Sequence, residues 1–442
     1  MKMSLKMVFF ITLMLLLIAP GFGLAGDYVK KPTFKKGKIT VGHCNALTGP
    51  ISAEMETITA GVCARIWYQN HFFNGIDGHR VYHMWEDNEY NAQKSVEMYH
   101  RFVSSGATGV FSDGAPSATP LKPLTARDKI PLFEGGFEIK VGYPPSYEWL
   151  VGADYGKQAF STIYWWYKNE WPKSADYGKR KPRVAFLYWK GGFGESIIPQ
   201  AVPSLEKLGF DVVKKTVISY KPVSVQPEIL ALKKSKPDFV FINITVEVSA
   251  MLLKEAYAQG LQQSGVQFGG SIWNSNEIIT KISPRGNNGF LLPSPYPWEA
   301  VASDELAAIG AKYNKERDPD YNTPWTTTSN FMTGWILSSV YIEGVQRAVD
   351  KVGYKNLKGD DVQNELKKLV FDVPLCKIKL GSERGKPYTL DYTGKIMPEN
   401  IDNRFGNSHV FICQWNDGKF TVIDDLKVPF DKLSHMPKRW MR

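Results

Sequence analysis

Cysteine is scarce in this chain. Its 442 residues contain four, Cys44, Cys63, Cys376 and Cys413, and no CxxC pair. The common zinc-finger and dithiol redox motifs are therefore excluded. After residue 25 no apolar run is long enough to span a bilayer. There is no GxSxG nucleophile elbow, no GxxxxGK[ST] phosphate loop and no HExxH metalloprotease helix, so the usual hydrolase and nucleotide signatures are missing. Basic residues outnumber acidic ones, 54 against 44. They are scattered, with small clusters only at Lys30-Lys31, Lys35-Lys36 and Lys179-Arg180-Lys181. None is arranged as a nucleic-acid motif, and we read a solvated basic surface. The seven histidines are dispersed. Only His79 and His83 stand at a spacing that shares a strand face, and there we expect exposed strand histidines before a metal pair. No metal, cofactor or catalytic residue is expected, and the chain reads as a non-enzyme.

What is present begins at the N-terminus. Lys2 and Lys6 precede an apolar run, Met7 to Ile18, ended by Pro20-Gly21, and Gly23-Leu24-Ala25 fits a small-x-small cleavage site. Residues 1–25 read as a secretory signal, too short for a comfortable span. Its removal takes two lysines and no acid, so the formal charge falls from +10 to +8. Export permits disulfides. A Cys44–Cys63 bridge and a Cys376–Cys413 bridge are both open.

The length suits two or three domains. Strand and helix patterns alternate from Ile39 to about Gly269, which argues for parallel sheets with right-handed crossovers. Helices dominate from Ser303 to Val370, and short strands return at the end. The stretch Gly109 to Glu138, GVFSDGAPSATPLKPLTARDKIPLFEGGFE, reads as strand, polar loop, helix from about Leu121 to Lys129, strand, polar loop. Loops at the carboxyl ends of parallel strands are where open α/β sheets bind ligands. Ser117 and Thr119 stand where the helix starts, so they either cap it or hold an anion at its N-terminus.

Six segments, in order, carry a resemblance: KITVGHCNALTGPISAE, NGIDGHRVYHMWEDNEYNAQKSVEMYHRFV, GVFSDGAPSATPLKPLTARDKIPLFEGG, RVAFLYWKGGFGESI, PDFVFINITVEVSAMLLKEAYAQGL and HVFICQWNDGKF. Together they resemble periplasmic binding proteins of branched-chain amino acid ABC transporters, the type I, leucine-binding-protein-like family. That resemblance implies an α/β fold of two doubly wound parallel-sheet lobes joined by three crossovers. Lobe one would be 36–154 with 292–375, and lobe two 155–291 with 376–442. Thr48, Ser117 and the Gly136-Phe137-Glu138 loop would face the cleft from lobe one. Phe193, Thr245 and Trp273 would face it from lobe two. The implied protein is a periplasmic monomer that passes a small-molecule ligand to a membrane permease. A sensory receptor module of the same fold is the alternative, with an exported enzyme behind it.

The chain departs from that family where amino-acid binders hold the ligand ammonium. They usually place an acid in the loop that here reads GGSIWNSN, and a small residue and a threonine where this chain has Phe137 and Glu138. Tyr-Gly commonly stands where Glu54-Met55 does. Trp273, Phe137, Phe193 and Trp189 are therefore candidate walls of a flat apolar pocket. A carboxylate or amide with an aromatic or apolar body would then reach from Ser117 to Trp273. Glu138 stays open as a replacement ammonium partner.

Overall fold

The apolar run that opens at Ile39 forms a strand covered on both faces. In β1 (Lys38–Asn45) every residue after Lys38 is buried, the pattern of a parallel strand between two layers of helix. The computed structural model describes residues 28–315, 326–380, 383–396, 401–406 and 409–434. The expected signal sequence lies outside them. β1 pairs with β2 (Arg80–Asp87) on one side and β3 (Ala107–Ser112) on the other. β4 (Leu132–Glu134) and β5 (Glu148–Trp149) extend the sheet in the order β2-β1-β3-β4-β5, all parallel.

A second sheet repeats the scheme. β6 (Arg183–Trp189), β7 (Asp211–Ile218), β8 (Phe239–Asn243), β9 (Gln267–Gly270) and β10 (Phe290–Ser294) lie in the order β7-β6-β8-β9-β10, all parallel. The chain then leaves this sheet for the three helices described below and two small antiparallel pairs. These are β11 (Val370–Lys377) with β12 (Pro387–Asp391), and β13 (Lys395–Ile396) with β14 (Ile401–Asp402). It returns as a hairpin, β15 (His409–Asn416) and β16 (Lys419–Lys427), which adds antiparallel strands beside β10. Two of the expected lobe boundaries, after 291 and after 375, fall inside β10 and β11. The β11–β12 hairpin belongs to neither large sheet. Tyr388 of β12 donates to the Pro295 carbonyl at 3.0 Å, and Tyr392 donates to the Leu150 carbonyl at 2.8 Å. Both bonds fasten the hairpin where the chain passes between the sheets.

Helices cover the sheets. α1 (Ser52–Phe73), α2 (Ala92–Ser104) and α3 (Ala115–Asp128) follow β1, β2 and β3. α4 (Tyr155–Asn169), α5 (Ile198–Lys207), α6 (Gln226–Ser235) and α7 (Val246–Ala258) serve the second sheet. α8 (Asp304–Lys315), α9 (Ser329–Val352) and α10 (Gly359–Leu366) return to the first. α1 is buried nearly all round because α9 lies over it, as a helix without a polar face requires. The two approach through facing glycines: a Cβ on Gly61 would stand 2.0 Å from the Phe331 carbonyl oxygen, and one on Gly334 would stand 1.9 Å from that of Ile58.

α3 begins six residues earlier than its pattern predicts. Pro116, Pro120 and Pro123 look like breakers, yet all lie in the helix. Pro116 sits in the first turn, where no N–H is needed. The other two each forgo one backbone bond in a helix whose Ala118, Leu121 and Thr125 are buried. All four cysteines are buried thiols, and neither of the two bridges left open by the sequence forms. His79 and His83 are buried, not exposed: His79 stacks on Tyr354 at 3.5 Å between ring centres, and His83 Nε2 lies 3.0 Å from His43 Nδ1. Among the described residues no group of His, Cys, Asp or Glu is placed to hold a metal ion, and no helix is long and apolar enough to cross a membrane.

Candidate functional site

Each sheet has a switch point, where helices leave toward opposite faces and the strand ends leave a crevice. In the first sheet it lies between β1 and β3, in the second between β6 and β8. The two crevices face one another across a narrow cavity, the place where such folds hold a ligand. The start of α1 supplies Ile51, Glu54, Met55 and Ile58. The turn after β3 supplies Asp113, Gly114 and Ala115, and the end of β4 and its loop run from Glu134 to Glu138. From the second sheet come Phe193 after β6, Thr245 after β8 and Trp273 after β9. Tyr90 and Tyr155, the latter at the start of α4, complete the wall.

Six of the nine expected residues therefore meet here: Gly136, Phe137, Glu138, Phe193, Thr245 and Trp273. Thr48, Ser117 and Thr119 do not line the cavity. Thr48 is exposed, and its hydroxyl donates to Asp87 Oδ2 at 2.7 Å. Thr119 lies exposed on α3. Ser117 is buried in an internal network: its hydroxyl donates to Asp113 Oδ1 at 2.8 Å, accepts from Asn88 Nδ2 at 2.8 Å and lies 3.1 Å from Ser95 Oγ. The early start of α3 causes this, because it puts Ser117 inside the first turn with its side chain directed back at Asp113. Ser117→Ala is thus expected to act on stability, costing about 1–3 kcal/mol by leaving Asp113 and Asn88 underpaired. A urea titration with an unchanged midpoint would contradict that. Trp189 also stands outside the cavity, packed between Phe193 at 5.8 Å and Tyr220 at 4.3 Å.

The expected anion seat at the start of α3 is poor. Pro116 has no N–H, and the Ser117 N–H is already bonded to the Gly114 carbonyl at 3.0 Å. The Asp113 carboxyl stands directly before the helix.

Acid dominates the polar lining instead, and three of its four carboxyls were missed as candidates. Glu54, Asp113, Glu134 and Glu138 are all buried, and none of the described residues lining the cavity is Lys, Arg or His. Burial pushes Glu54 up to about 8, with Glu247 adding to the effect; its Oε1 accepts from the Val246 N–H at 3.4 Å, across the cavity. Burial raises Asp113 to about 7 against the bonds from Ser117 and Asn88 that favour its charged form. Burial also raises Glu134 to about 8, opposed by the Ser112 hydroxyl and reinforced by Asp113; the Gly136 N–H donates to its Oε1 at 3.0 Å. Glu138 rises to about 7 through burial, opposed by Lys140 and Lys122. Among the described residues, Glu54 Oε2, Asp113 Oδ2 and Glu138 Oε2 have no hydrogen-bond partner. The remaining wall is aromatic. Trp273 Nε1 donates to the Tyr155 hydroxyl at 2.7 Å, and Phe137 packs 5.7 Å from Tyr155 and 5.8 Å from Trp273. The available signal was the acid closing two strand patterns, VFSD and LFE, at the edge where such sheets bind ligands.

No curated protein matches the chain in sequence. Solved structures match it as folds. A Thermus thermophilus branched chain amino acid ABC transporter protein with bound valine is 16% identical, covers 90% of this chain and 98% of its own, and superposes with a TM-score of 0.69. A fatty acid ABC transporter substrate-binding protein from Thermomonospora curvata gives 16%, 94%, 99% and 0.73. A solute binding protein from R. palustris in complex with 4-hydroxybenzoate gives 16%, 89%, 98% and 0.68. In sequence, residues 38–395 match the periplasmic binding protein family. That span contains both switch points and every residue of the cavity wall, and the chain belongs to the periplasmic binding protein family.

Proposed function

We propose that this chain is the solute-capturing component of an ABC importer, exported to the periplasm through a signal at 1–25 and working as a monomer with a membrane permease. In this reading lobe one is 36–154 with 292–375, lobe two is 155–291 with 376–442, and the lobes close over a small organic solute. The observation that carries it is the cavity at the meeting of two switch points, with Glu54 and Glu138 on one wall and Phe193, Thr245 and Trp273 on the other. Three passages of chain between the sheets form a natural hinge for closure of this kind. The solutes named for the structural relatives, valine and 4-hydroxybenzoate, support a small organic ligand in this fold.

Gly192 offers a test that needs no known ligand. It lies where the loop after β6 meets lobe one, and a Cβ there would stand 2.6 Å from Glu138 Oε2 and 2.9 Å from the Ala115 Cβ. Gly192→Val should wedge the lobes apart with little change in the melting temperature. We expect a larger radius of gyration by small-angle scattering than for the parent. An unchanged radius would count against closure across this seam.

A further inference from the structure

We propose that the solute is an organic cation without a carboxylate: an amine, amidine or guanidine on a flat or apolar body. This rests on the binding reading above and names the class of ligand for that same cavity. Among the described residues four buried carboxyl side chains line the cavity and no basic side chain does. An acidic cluster alone would be weak evidence. Here three of the four carboxyls, Glu54, Asp113 and Glu138, each keep one buried oxygen without a hydrogen-bond partner among the described residues. Each belongs to a side chain that lines the empty space. A buried, unpaired carboxylate is costly, and a cation with N–H donors would satisfy those oxygens.

The apolar half agrees. Phe137, Tyr155, Phe193 and Trp273 line the same space, and aromatic rings attract ammonium and guanidinium groups that reach their π faces. Against a carboxylate stand the lost donors at the start of α3, Pro116 and the bonded Ser117 N–H, and the repulsion of four acids. The groups that face these acids are Glu247 and Tyr220 toward Glu54, Tyr90 and Tyr155 toward Asp113 and Glu134, and Lys140 and Lys122 toward Glu138. The two lysines are the only cations among them. They do not line the cavity, and they oppose the rise of Glu138 without cancelling it. Burial therefore favours the protonated form of these carboxyls in the free protein, and a bound cation should displace protons from them.

The test titrates the mature, extensively dialysed protein with phenethylammonium, benzamidinium and agmatine, and separately with phenylacetate, benzoate and phenylalanine. Tryptophan fluorescence and calorimetry follow binding at pH near neutrality, in two buffers of different ionisation enthalpy. We expect at least one cation to bind about tenfold or more tightly than every carboxylate, with protons released. Glu54→Gln and Glu138→Gln, checked by melting to be folded, should each weaken that cation about tenfold or more. Silence of all three cations overturns the inference, as does tighter carboxylate binding with proton uptake. If a carboxylate binds while the cations do not, the cleft remains a solute site. If all six are silent and scattering is unchanged by each, the binding reading fails as well.

Discussion

Valine in place of Gly334 is expected to destabilise the protein by about 3 kcal/mol or more, the upper end of what overpacking a core costs. The reason is the crossing of α1 and α9. A single Cβ at Gly334 would stand 1.9 Å from the Ile58 carbonyl oxygen and 2.8 Å from the Val62 nitrogen. Both are backbone atoms, so no rotamer change relieves the clash and the helices must separate. Separation would strip contacts from buried Phe331, Trp335 and Val62. It would also move Glu54, Met55 and Ile58, which lie on α1 and line the cavity, so binding should weaken along with stability. Urea unfolding followed by circular dichroism measures the first effect. A loss under about 1 kcal/mol would mean that α1 and α9 do not pack through these glycines. Gly61→Val should behave alike, since its Cβ would meet the Phe331 carbonyl oxygen at 2.0 Å.

Raising the pH from about 6.5 to about 8.5 should lower the melting temperature of the unliganded protein by several degrees. Glu54 and Glu134 are raised to about 8 from the usual 4.5, chiefly by burial. Across the interval between those values the folded state holds protons that the unfolded state has released. Stability therefore falls as pH rises, and the fall ends above the folded value. Over pH 6.5 to 8 each of these two groups contributes a loss of about 2 kcal/mol. Asp113 and Glu138, raised to about 7, contribute less in that window. Below about 6.5 the slope is masked. His43 and His83 are held low by burial, and such groups add stability as pH rises toward their ordinary value. Scanning fluorimetry at the two pH values, with Glu54→Gln and Glu134→Gln alongside, checks the assignment. Each substitution should flatten the profile. A parent profile that is already flat would show these carboxyls ionised in the folded protein.

Some of the cavity was legible in the sequence because it follows strands directly. Phe193 comes four residues after RVAFLYW, Thr245 two after FVFIN, and Trp273 three after QFGG. A loop that follows a buried parallel strand must emerge at the carboxyl edge, whatever the rest of the chain does. Ser117 was misjudged for a local reason. Gly114, Pro116, Ser117 and Thr119 read as a loop and hid the first turn of α3, and a shift of six residues in a helix start changes which side chains face inward.

The alternation of buried strands with helices, and so the doubly wound class, was determined by the sequence alone. It depends on side-chain periodicity and backbone sterics within a few residues, and RVAFLY or DFVFINI carries it without help. The charge of the cavity was decided only by the tertiary structure. Glu54, Asp113, Glu134 and Glu138 come from the start of α1, the turn after β3, the end of β4 and the loop beyond it. Read singly, each is an ordinary acid beside a turn. The crossovers and the packing of one sheet unit against the other bring them to one enclosure and strip their water. Burial and mutual repulsion act through space, and they become visible only when the strand ends have met.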